Sequence, residues 1–421
     1  AQSALDRSGV RRMTSAPPLP SACPDRTGTC SRKMQGKRGA FVGRDIVPCW
    51  IADMDFEAPR PVVDAVVARA KHGIYGYTDA SAELEDLTLR RLKTLYGSTE
   101  TPDRSWLRWL PGLLPGLHHA VRAACQSRED RVVLLTPLYP PFLAAVERNG
   151  ATLVQIPLID SGASSIEIRF DLDWERLASE LAHPATRLLH FCNPHNPAGR
   201  CWSRDDLERV ARLCVESDVV ICSDEVWGEM PLEPERAPFC SMLGLLPSDG
   251  GGGDVPGLRE RLIFLTSPSK CFNVAGLDLA VAAVPHEPLR RRFCAGGSDA
   301  AEVTPFGYVA ATAAYGDAES ELWRQRLLLY LRANRDFAFG ALTQAEGVRA
   351  TCPEASYLMW VHVPGLLAGT TAAAFFEAHG VGLTGAAEFG GGDDCVRLNF
   401  GTSRATLEEA VSRMLRALEN L

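Results

Sequence analysis

Short apolar runs alternate with helical patterns through the middle of the chain. Four such runs, each followed by turn-forming or polar residues, cover residues 131–135, 188–192, 219–222 and 262–265. Between them lie apolar residues at helical spacing, most clearly over residues 202–216. Runs of this kind are typical of strands buried on both faces of a mostly parallel sheet. The pattern therefore predicts an α/β core.

The segments that flank this core have a different character. Residues 1–40 are rich in Ser, Pro, Arg and Gly and lack an apolar period, which predicts a mobile N-terminal arm. Helical patterns near 310–345 and 406–418 surround strand patterns near 357–363 and 395–400. We expect a large α/β domain over residues 61–299 and a smaller α+β domain formed by residues 41–60 and 300–421.

Composition narrows the classes of partner. The chain has 421 residues with 44 Lys and Arg against 52 Asp and Glu, and the net charge of −8 argues against nucleic acid. No apolar run approaches the ~20 residues that cross a bilayer, and the first 40 residues lack a secretory signal, which favours a cytoplasmic protein. The 13 cysteines show no CxxC spacing, so we expect reduced thiols and no metal.

Lysine is unusually scarce. The 44 basic residues include five lysines, at positions 33, 37, 71, 93 and 270, and therefore 39 arginines. Only an amine can lose its proton near neutral pH and attack a carbonyl, so a lysine in such a chain marks a candidate for that chemistry. Lys270 follows the buried run 262–265 directly and is the first candidate.

Polar residues lie just past the carboxyl ends of several predicted strands, where an open α/β sheet forms its ligand crevice. Asp224 suits either a helix N-cap or pairing with a protonated ring nitrogen. Asn196 suits either a turn or a hydrogen bond to a phenolate-type oxygen, and Tyr139 either packing or contact with a cofactor ring. Residues 111–116 (PGLLPG) precede a helical pattern whose first amides can hold a phosphate.

Arg397 lies within the last strand pattern, in CVRLNFGTSR. An arginine on an edge strand would be exposed to solvent, whereas a buried one needs an anionic partner. The second alternative would make Arg397 a bidentate clamp for a substrate carboxylate. Arg404, in the same motif, is expected to be structural.

The combination of these motifs resembles the pyridoxal-phosphate-dependent class I/II aminotransferase superfamily of fold type I, from about Thr27 to the C-terminus. Within it, the chain is most similar to the bacterial cystathionine beta-lyase-like C–S lyases. The motifs that carry the resemblance, in order, are WIADMDF (50–56), HGIYGYT (72–78), LPGLLPG (110–116), TPLYPPF (136–142), NPHNPAGR (193–200), SDEVWGEM (223–230) and TSPSKCFNVAGL (266–277).

The resemblance implies a role for each matching position around pyridoxal phosphate. Lys270 would form a Schiff base with the cofactor and later move the substrate Cα proton, and Asp224 would pair with the pyridine nitrogen. Asn196 would bond the ring 3-oxygen and Tyr139 would stack on the ring. The phosphate would be held by Gly112, Leu113, Leu114, Ser267 and, from the neighbouring subunit of a homodimer, Tyr77. Arg397 would bind the substrate α-carboxylate, and the substrate end of the pocket would contain Trp50, Asp53, Tyr75 and Glu388.

Two positions depart from the family pattern. Trp227, which we also expect to contact the cofactor, stands where the family usually has Tyr or His, and its indole can donate one hydrogen bond but cannot act as an acid or base. Asp278 stands where many aminotransferases have a phosphate-binding arginine, and we expect its carboxylate to point away from the phosphate.

The resemblance favours a β-lyase that cleaves an S-substituted, cystathionine-like L-cysteine to thiol, pyruvate and ammonia. Two alternatives use the same lysine: an aminotransferase, and a decarboxylation-linked deaminase of an S-substituted cysteine in specialised metabolism. A regulator that binds the cofactor without turnover is disfavoured, because the chain has no added DNA-binding domain or basic stretch. The sequence does not identify the group on the substrate sulfur.

Overall fold

The computed structural model describes residues 22–162, 165–246, 255–295 and 302–421. The first half of the predicted mobile arm, residues 1–21, lies outside this part of the chain. Residues 22–40 differ from the expectation, because they contain a short helix and bury the side chain of Lys33 completely. That burial requires the segment to be fixed against the rest of the protein.

The larger sheet contains seven strands in the order β2-β10-β9-β8-β7-β3-β4. The strands from β9 to β4 run parallel, whereas β10 is antiparallel to both β9 and β2. The strands of the described residues are β1 (Val47–Pro48), β2 (Leu107–Leu110), β3 (Arg131–Thr136), β4 (Thr152–Pro157), β5 (Ile159–Asp160), β6 (Phe170–Asp171), β7 (Thr186–Cys192), β8 (Val220–Asp224), β9 (Leu262–Thr266), β10 (Ala280–Ala283), β11 (Arg349–Ala350), β12 (Leu358–His362), β13 (Val381–Gly382), β14 (Thr384–Gly385) and β15 (Cys395–Asn399).

Helices cover both faces of this sheet, as predicted for an α/β fold. On one face of the sheet, Val132 and Leu134 pack against Leu117 and Phe142. On the other face, Val133 packs in a cluster with residues of helices that come later in the chain. The α-helices are α1 (Arg32–Gln35), α2 (Arg60–His72), α3 (Ala82–Thr94), α4 (Leu113–Ala124), α5 (Pro141–Arg148), α6 (Trp174–Leu181), α7 (Arg204–Glu216), α8 (Glu287–Ala295), α9 (Pro305–Gly316), α10 (Ala318–Leu342), α11 (Ala372–Ala378) and α12 (Arg404–Leu418). Short 3₁₀ helices cover Lys37–Gly39, Arg104–Trp106, Met242–Leu245, Ala275–Leu277 and Ala386–Phe389.

A second, antiparallel sheet in the order β11-β12-β15-β14 packs with α10 and α12 around one apolar cluster. β1 pairs with β13 and attaches residues 47–48 to this unit. We propose that it is the small domain expected from residues 41–60 and 300–421. Helix α9 packs on α2 and α3, where Ala311 shares an apolar cluster with Leu84 and Leu279. Its Ala310 and Ala314 also belong to the cluster around α10 and α12. None of the described helices is long and apolar enough to cross a membrane.

Candidate active site

A cavity of about 240 Å³ opens at the carboxyl ends of β2, β3, β7, β8 and β9. Parallel strands present these ends at one edge of the sheet, which is why residues distant in sequence converge here. The lining residues include Gly112, Leu113, Leu114, Tyr139, Asn196, Asp224, Trp227, Ser267 and Lys270. Thus nine residues predicted to bind or react with the cofactor line the same cavity.

Lys270 is the one lysine in the wall of this cavity. Its half-buried Nζ donates a hydrogen bond to the carbonyl oxygen of Ala52 at 3.0 Å and lies 5.8 Å from the centre of the Trp227 ring. Burial, with a further contribution from the positive charge of Arg397, lowers the pKa of Lys270 to about 8. A neutral amine is therefore accessible near physiological pH, as attack on a carbonyl requires.

Asp224, the last residue of β8, is buried at the base of the cavity. Its Oδ1 accepts a hydrogen bond from the Val226 amide at 3.1 Å, and burial raises the pKa of the carboxyl to about 7. The residues directly after Asp224 form a turn and not a helix, so the N-cap alternative is wrong. A buried carboxylate with so little stabilisation suits a protonated ligand group placed beside it.

Arg397 is buried in β15, which lies between β12 and β14, so the edge-strand alternative is wrong. Its guanidinium donates to Asn196 Oδ1 at 3.2 Å and to the Trp50 carbonyl oxygen at 3.0 Å, while Nε has no partner. Burial lowers the pKa of Arg397 to about 10. Both hydrogen-bond acceptors of this guanidinium among the described residues are uncharged oxygens, which makes Arg397 a site for an anionic group.

The phosphate end of the cavity begins at Gly112, the N-cap of α4. Its φ of 105° lies in the region that favours glycine, and a Cβ there would meet no atom within 4 Å. The space beside Gly112 and the first amides of α4 can therefore receive an anion. Ser267 contributes less directly, because its Oγ already donates to the Leu279 carbonyl at 2.6 Å and accepts from the Ser269 amide at 3.0 Å.

Two aromatic residues shape the remaining walls. Tyr139 is half-buried, and burial raises the pKa of its hydroxyl while the positive charge of Arg397 opposes the change. The buried Trp227 ring lies 5.0 Å from the Tyr357 ring in an edge-on arrangement. These rings provide the flat apolar surfaces against which a planar heterocycle packs.

The cavity fits pyridoxal phosphate by the chemistry of its donors and acceptors. It contains an amine of lowered pKa, a buried carboxylate whose one hydrogen-bond donor among the described residues is the Val226 amide, and a helix start at a glycine. Asn196 lines the same space, and because its oxygen accepts from Arg397, its amide nitrogen is the group with which it can donate to a ligand. These groups match the aldehyde, pyridine nitrogen, phosphate and ring oxygen of the cofactor, respectively.

The structure separates several predicted substrate-end residues from this cavity. Asp53 does not line it and instead forms an ion pair with Arg26, whose Nη2 lies 2.8 Å from Asp53 Oδ2. Trp50 contributes its carbonyl oxygen to Arg397, but its indole Nε1 donates to the Lys33 carbonyl oxygen at 2.9 Å. Glu388 is exposed and pairs with Lys37 at 3.0 Å. The carboxylates of Asp53 and Glu388 are thus both engaged in ion pairs outside the cavity.

Tyr75 and Tyr77 do not reach the cavity of their own chain. Tyr77 is 96% exposed, and Tyr75 is 59% exposed with its hydroxyl bonded to the Ala70 carbonyl oxygen at 2.8 Å. Asp278 is exposed and does not line the cavity, in agreement with the expectation that it points away from the phosphate. Arg404 bonds Asn334 and the Ala333 carbonyl oxygen, which is a structural role.

Sequence reasoning missed three side chains that hold residues 50–56 beside the cavity. Asn399 donates to the Ile51 and Asp53 carbonyl oxygens at 2.6 and 2.7 Å, and Asn273 donates to those of Met54 and Phe56. The Tyr357 hydroxyl donates to the Ala52 carbonyl oxygen at 3.0 Å, the same atom that accepts from Lys270. The asparagine in the apolar run VRLNF was the available signal, because a buried amide needs partners.

Comparison with known proteins agrees with this arrangement. Residues 51–414 match the family described as Aminotransferase class I and II. Cystathionine beta-lyase PatB of Bacillus subtilis (strain 168) is 32% identical over 406 residues, which cover 94% of this chain and 98% of PatB. The crystal structure of OvoB has a TM-score of 0.83 at 35% identity, covering 96% of this chain and 98% of OvoB.

The PLP-bound C–S lyase of Staphylococcus hominis, in complex with L-cycloserine, has a TM-score of 0.83 at 26% identity, covering 94% of this chain and 97% of that one. Family, fold and cofactor thus agree with the expectations from the motifs. The chain belongs to the aminotransferase class I and II family, in its cystathionine beta-lyase-like branch, and is a pyridoxal-phosphate-dependent enzyme.

Proposed function

We propose that this enzyme is a C–S β-lyase that cleaves an S-substituted, cystathionine-like L-cysteine. With one water, the substrate gives the free thiol, pyruvate and ammonia. The observation that carries the proposal is the 32% identity to a cystathionine beta-lyase over nearly the full length of both chains. Aspartate aminotransferases also match, but at lower identity: that of Pinus pinaster is 26% identical and covers 75% of the relative.

The residues of the cavity have the properties that this reaction needs. When bound, pyridoxal phosphate withdraws electrons from the substrate Cα, so that a proton can leave Cα and a thiolate can leave Cβ. Lys270, with its pKa of about 8, takes the Cα proton at Nζ. Asp224 holds the proton on the pyridine nitrogen through its carboxylate. Arg397 binds the α-carboxylate and thereby orients the Cα–H bond toward Lys270.

We also propose that two copies of the chain share each site. Tyr77, implied to reach the phosphate of a neighbouring subunit, is almost fully exposed, and Ile74 and Tyr75 beside it are 66% and 59% exposed. A row of exposed apolar residues is a common feature of subunit contacts.

The free thiols of all 13 cysteines support a cytoplasmic location.

The test is an absorbance scan of the purified enzyme followed by assays for pyruvate and thiol with L-cystathionine, L-cysteine and S-alkyl cysteines. We expect a visible band that is absent in Lys270→Ala, and equal amounts of pyruvate and thiol without a keto-acid acceptor. Turnover that depends on an acceptor would instead identify an aminotransferase. Release of carbon dioxide would identify the decarboxylation-linked deaminase.

A further inference from the structure

Lys33 is buried although its helix lies at the surface. Its relative exposure is 0%, whereas the neighbouring Arg32 and Met34 of α1 are exposed. The Lys33 ammonium donates to the Asp55 carboxylate at 2.9 Å and to the Asp53 carbonyl oxygen at 3.3 Å. A buried ammonium is costly unless it is paired in this way. Lys33 is thus a second lysine, in addition to Lys270, whose side chain is removed from bulk water.

The partners of Lys33 belong to residues 50–56, which have no regular secondary structure. This segment supplies two carbonyl oxygens to the site: that of Trp50 accepts from Arg397, and that of Ala52 accepts from Lys270 Nζ. Irregular backbone keeps such positions only when side chains fix it from outside. The placement of two site carbonyls thus depends on the groups that hold residues 50–56.

Helix α1 holds this segment at two points. The Lys33 side chain bonds Asp55 and the Asp53 carbonyl oxygen, and the Lys33 carbonyl oxygen accepts from Trp50 Nε1 at 2.9 Å. Arg26 adds ion pairs to Asp53 and Asp55 at 2.8 and 3.1 Å, but its side chain is 24% exposed. Of the two charged anchors of this segment, Lys33 is therefore the one that water screens less.

We propose that Lys33 is a positioning residue for Lys270 and Arg397, acting through residues 50–56. This inference deepens the proposed function and rests on it. Without the Lys33 ammonium, residues 50–56 keep the hydrogen bonds of Asn399, Asn273 and Tyr357 but lose their most buried ion pair. The Ala52 carbonyl oxygen is then held less firmly opposite Lys270 Nζ, and this weakens the acceptor that orients the amine and favours its charged form. A misplacement of about 1 Å at such a centre costs up to ~100-fold in rate.

The test compares Lys33→Met with the double variant Lys33→Met/Asp55→Asn, which removes the half-buried carboxylate that would otherwise keep Arg26 as its one cation among the described residues. Lys33→Arg keeps the charge and serves as the conservative variant. Lys93→Met is the matched control, because the Lys93 ammonium also bonds a carbonyl oxygen, that of Thr99, but at an exposed position. Three quantities are measured: hydrogen exchange of amides 50–56, the pH dependence of cofactor binding to the cofactor-free protein, and kcat with KM.

For both Met variants we expect faster exchange at residues 53–55 and a downward shift of about half a pH unit or more in the midpoint of cofactor binding. We also expect kcat to fall by about 10- to 100-fold. Lys33→Arg should recover only part of each change, because it keeps the charge but its planar fork needs more space than the ammonium, and Lys93→Met should match the wild type. If Lys33→Met does not fold, the double variant tests the proposal. If neither Met variant folds, Lys33→Arg tests it, and the proposal then expects changes intermediate between those of the Met variants and the wild type.

Two outcomes would overturn the proposal. Exchange that increases while the binding midpoint and kcat remain wild type would make Lys33 purely structural, and unchanged exchange would show that it does not hold residues 50–56. Failure of the proposed function is a separate result. If the wild type releases no thiol from any substrate tested, exchange and the binding midpoint still decide the role of Lys33.

Discussion

Replacement of Asp224 by asparagine should stabilise the cofactor-free protein while it impairs the enzyme. The Asp224 carboxylate is 5% exposed and has one hydrogen-bond donor, the Val226 amide. Among the described residues no Lys, Arg or His nitrogen lies within 4.0 Å of it. Asparagine has nearly the same shape but carries no charge, so it removes the cost of burying an ionised group.

The magnitude follows from the pKa of this carboxyl. Burial raises the pKa from its ordinary value of 3.8 to about 7, which corresponds to about 4 kcal/mol. The folded state binds the proton more tightly than the unfolded state does, so stability is lost as the pH rises from about 4 to about 7. Asparagine does not titrate, and its advantage should grow by about 2 to 3 kcal/mol between pH 5 and pH 8.

Urea unfolding of the cofactor-free wild type and Asp224→Asn at pH 5 and pH 8 measures this difference. Saturating pyridoxal phosphate should reverse the order, because the carboxylate then pairs with the protonated ring nitrogen. Loss of such a buried partner costs about 3 kcal/mol or more, which is at least ~100-fold in kcat/KM. A variant that is less stable than the wild type at pH 8 without cofactor, or equally favoured at both pH values, would refute this reasoning.

Three further predictions test the other groups of the site. Arg397→Gln should raise KM by about 30- to 100-fold with a smaller change in kcat, because it removes a charged partner of the α-carboxylate; steady-state kinetics measure this, and an unchanged KM contradicts it. Trp227→Phe should leave the visible cofactor band in place with at most a shift in its maximum, since the indole is neither acid nor base; loss of the band in a spectrum would contradict it. An equal mixture of Tyr77→Ala and Lys270→Ala chains should recover about a quarter of wild-type activity. Half of the dimers are then mixed, and each mixed dimer has one intact site, with Lys270 from one chain and Tyr77 from the other. No recovery in an activity assay would show that Tyr77 acts within its own chain.

The core of the fold could be predicted because its signal is local. The apolar runs at 131–135, 188–192, 219–222 and 262–265 became β3, β7, β8 and β9, with boundaries within two residues. Apart from Arg131 at the start of β3 and the buried His190 in β7, the residues of these runs are apolar, because both faces of the sheet are covered. Because parallel strands end at one edge, the same runs also predicted that Tyr139, Asn196, Asp224 and Lys270 meet.

Features that depend on distant partners could not be predicted. β10 is four small residues of the run AVAA, and it became a strand because β2 and β9 flank it. Asp53, predicted at the substrate end, is paired with Arg26 from a segment whose composition indicated mobility. Composition reports how much apolar surface a segment can bury, but it does not report which ion pairs form when the segment meets the rest of the chain.

The scarcity of lysine points to two positions beside the cavity, not to Lys270 alone. It directed attention to Lys270, where arginine would fail because it cannot lose its proton. The same reasoning applies to Lys33, where a compact ammonium fits between the Asp55 carboxylate and the Asp53 carbonyl oxygen. The planar fork of arginine requires more space and more acceptors. The remaining three lysines, at positions 37, 71 and 93, are exposed, so the two buried or half-buried ones both lie at or beside the site.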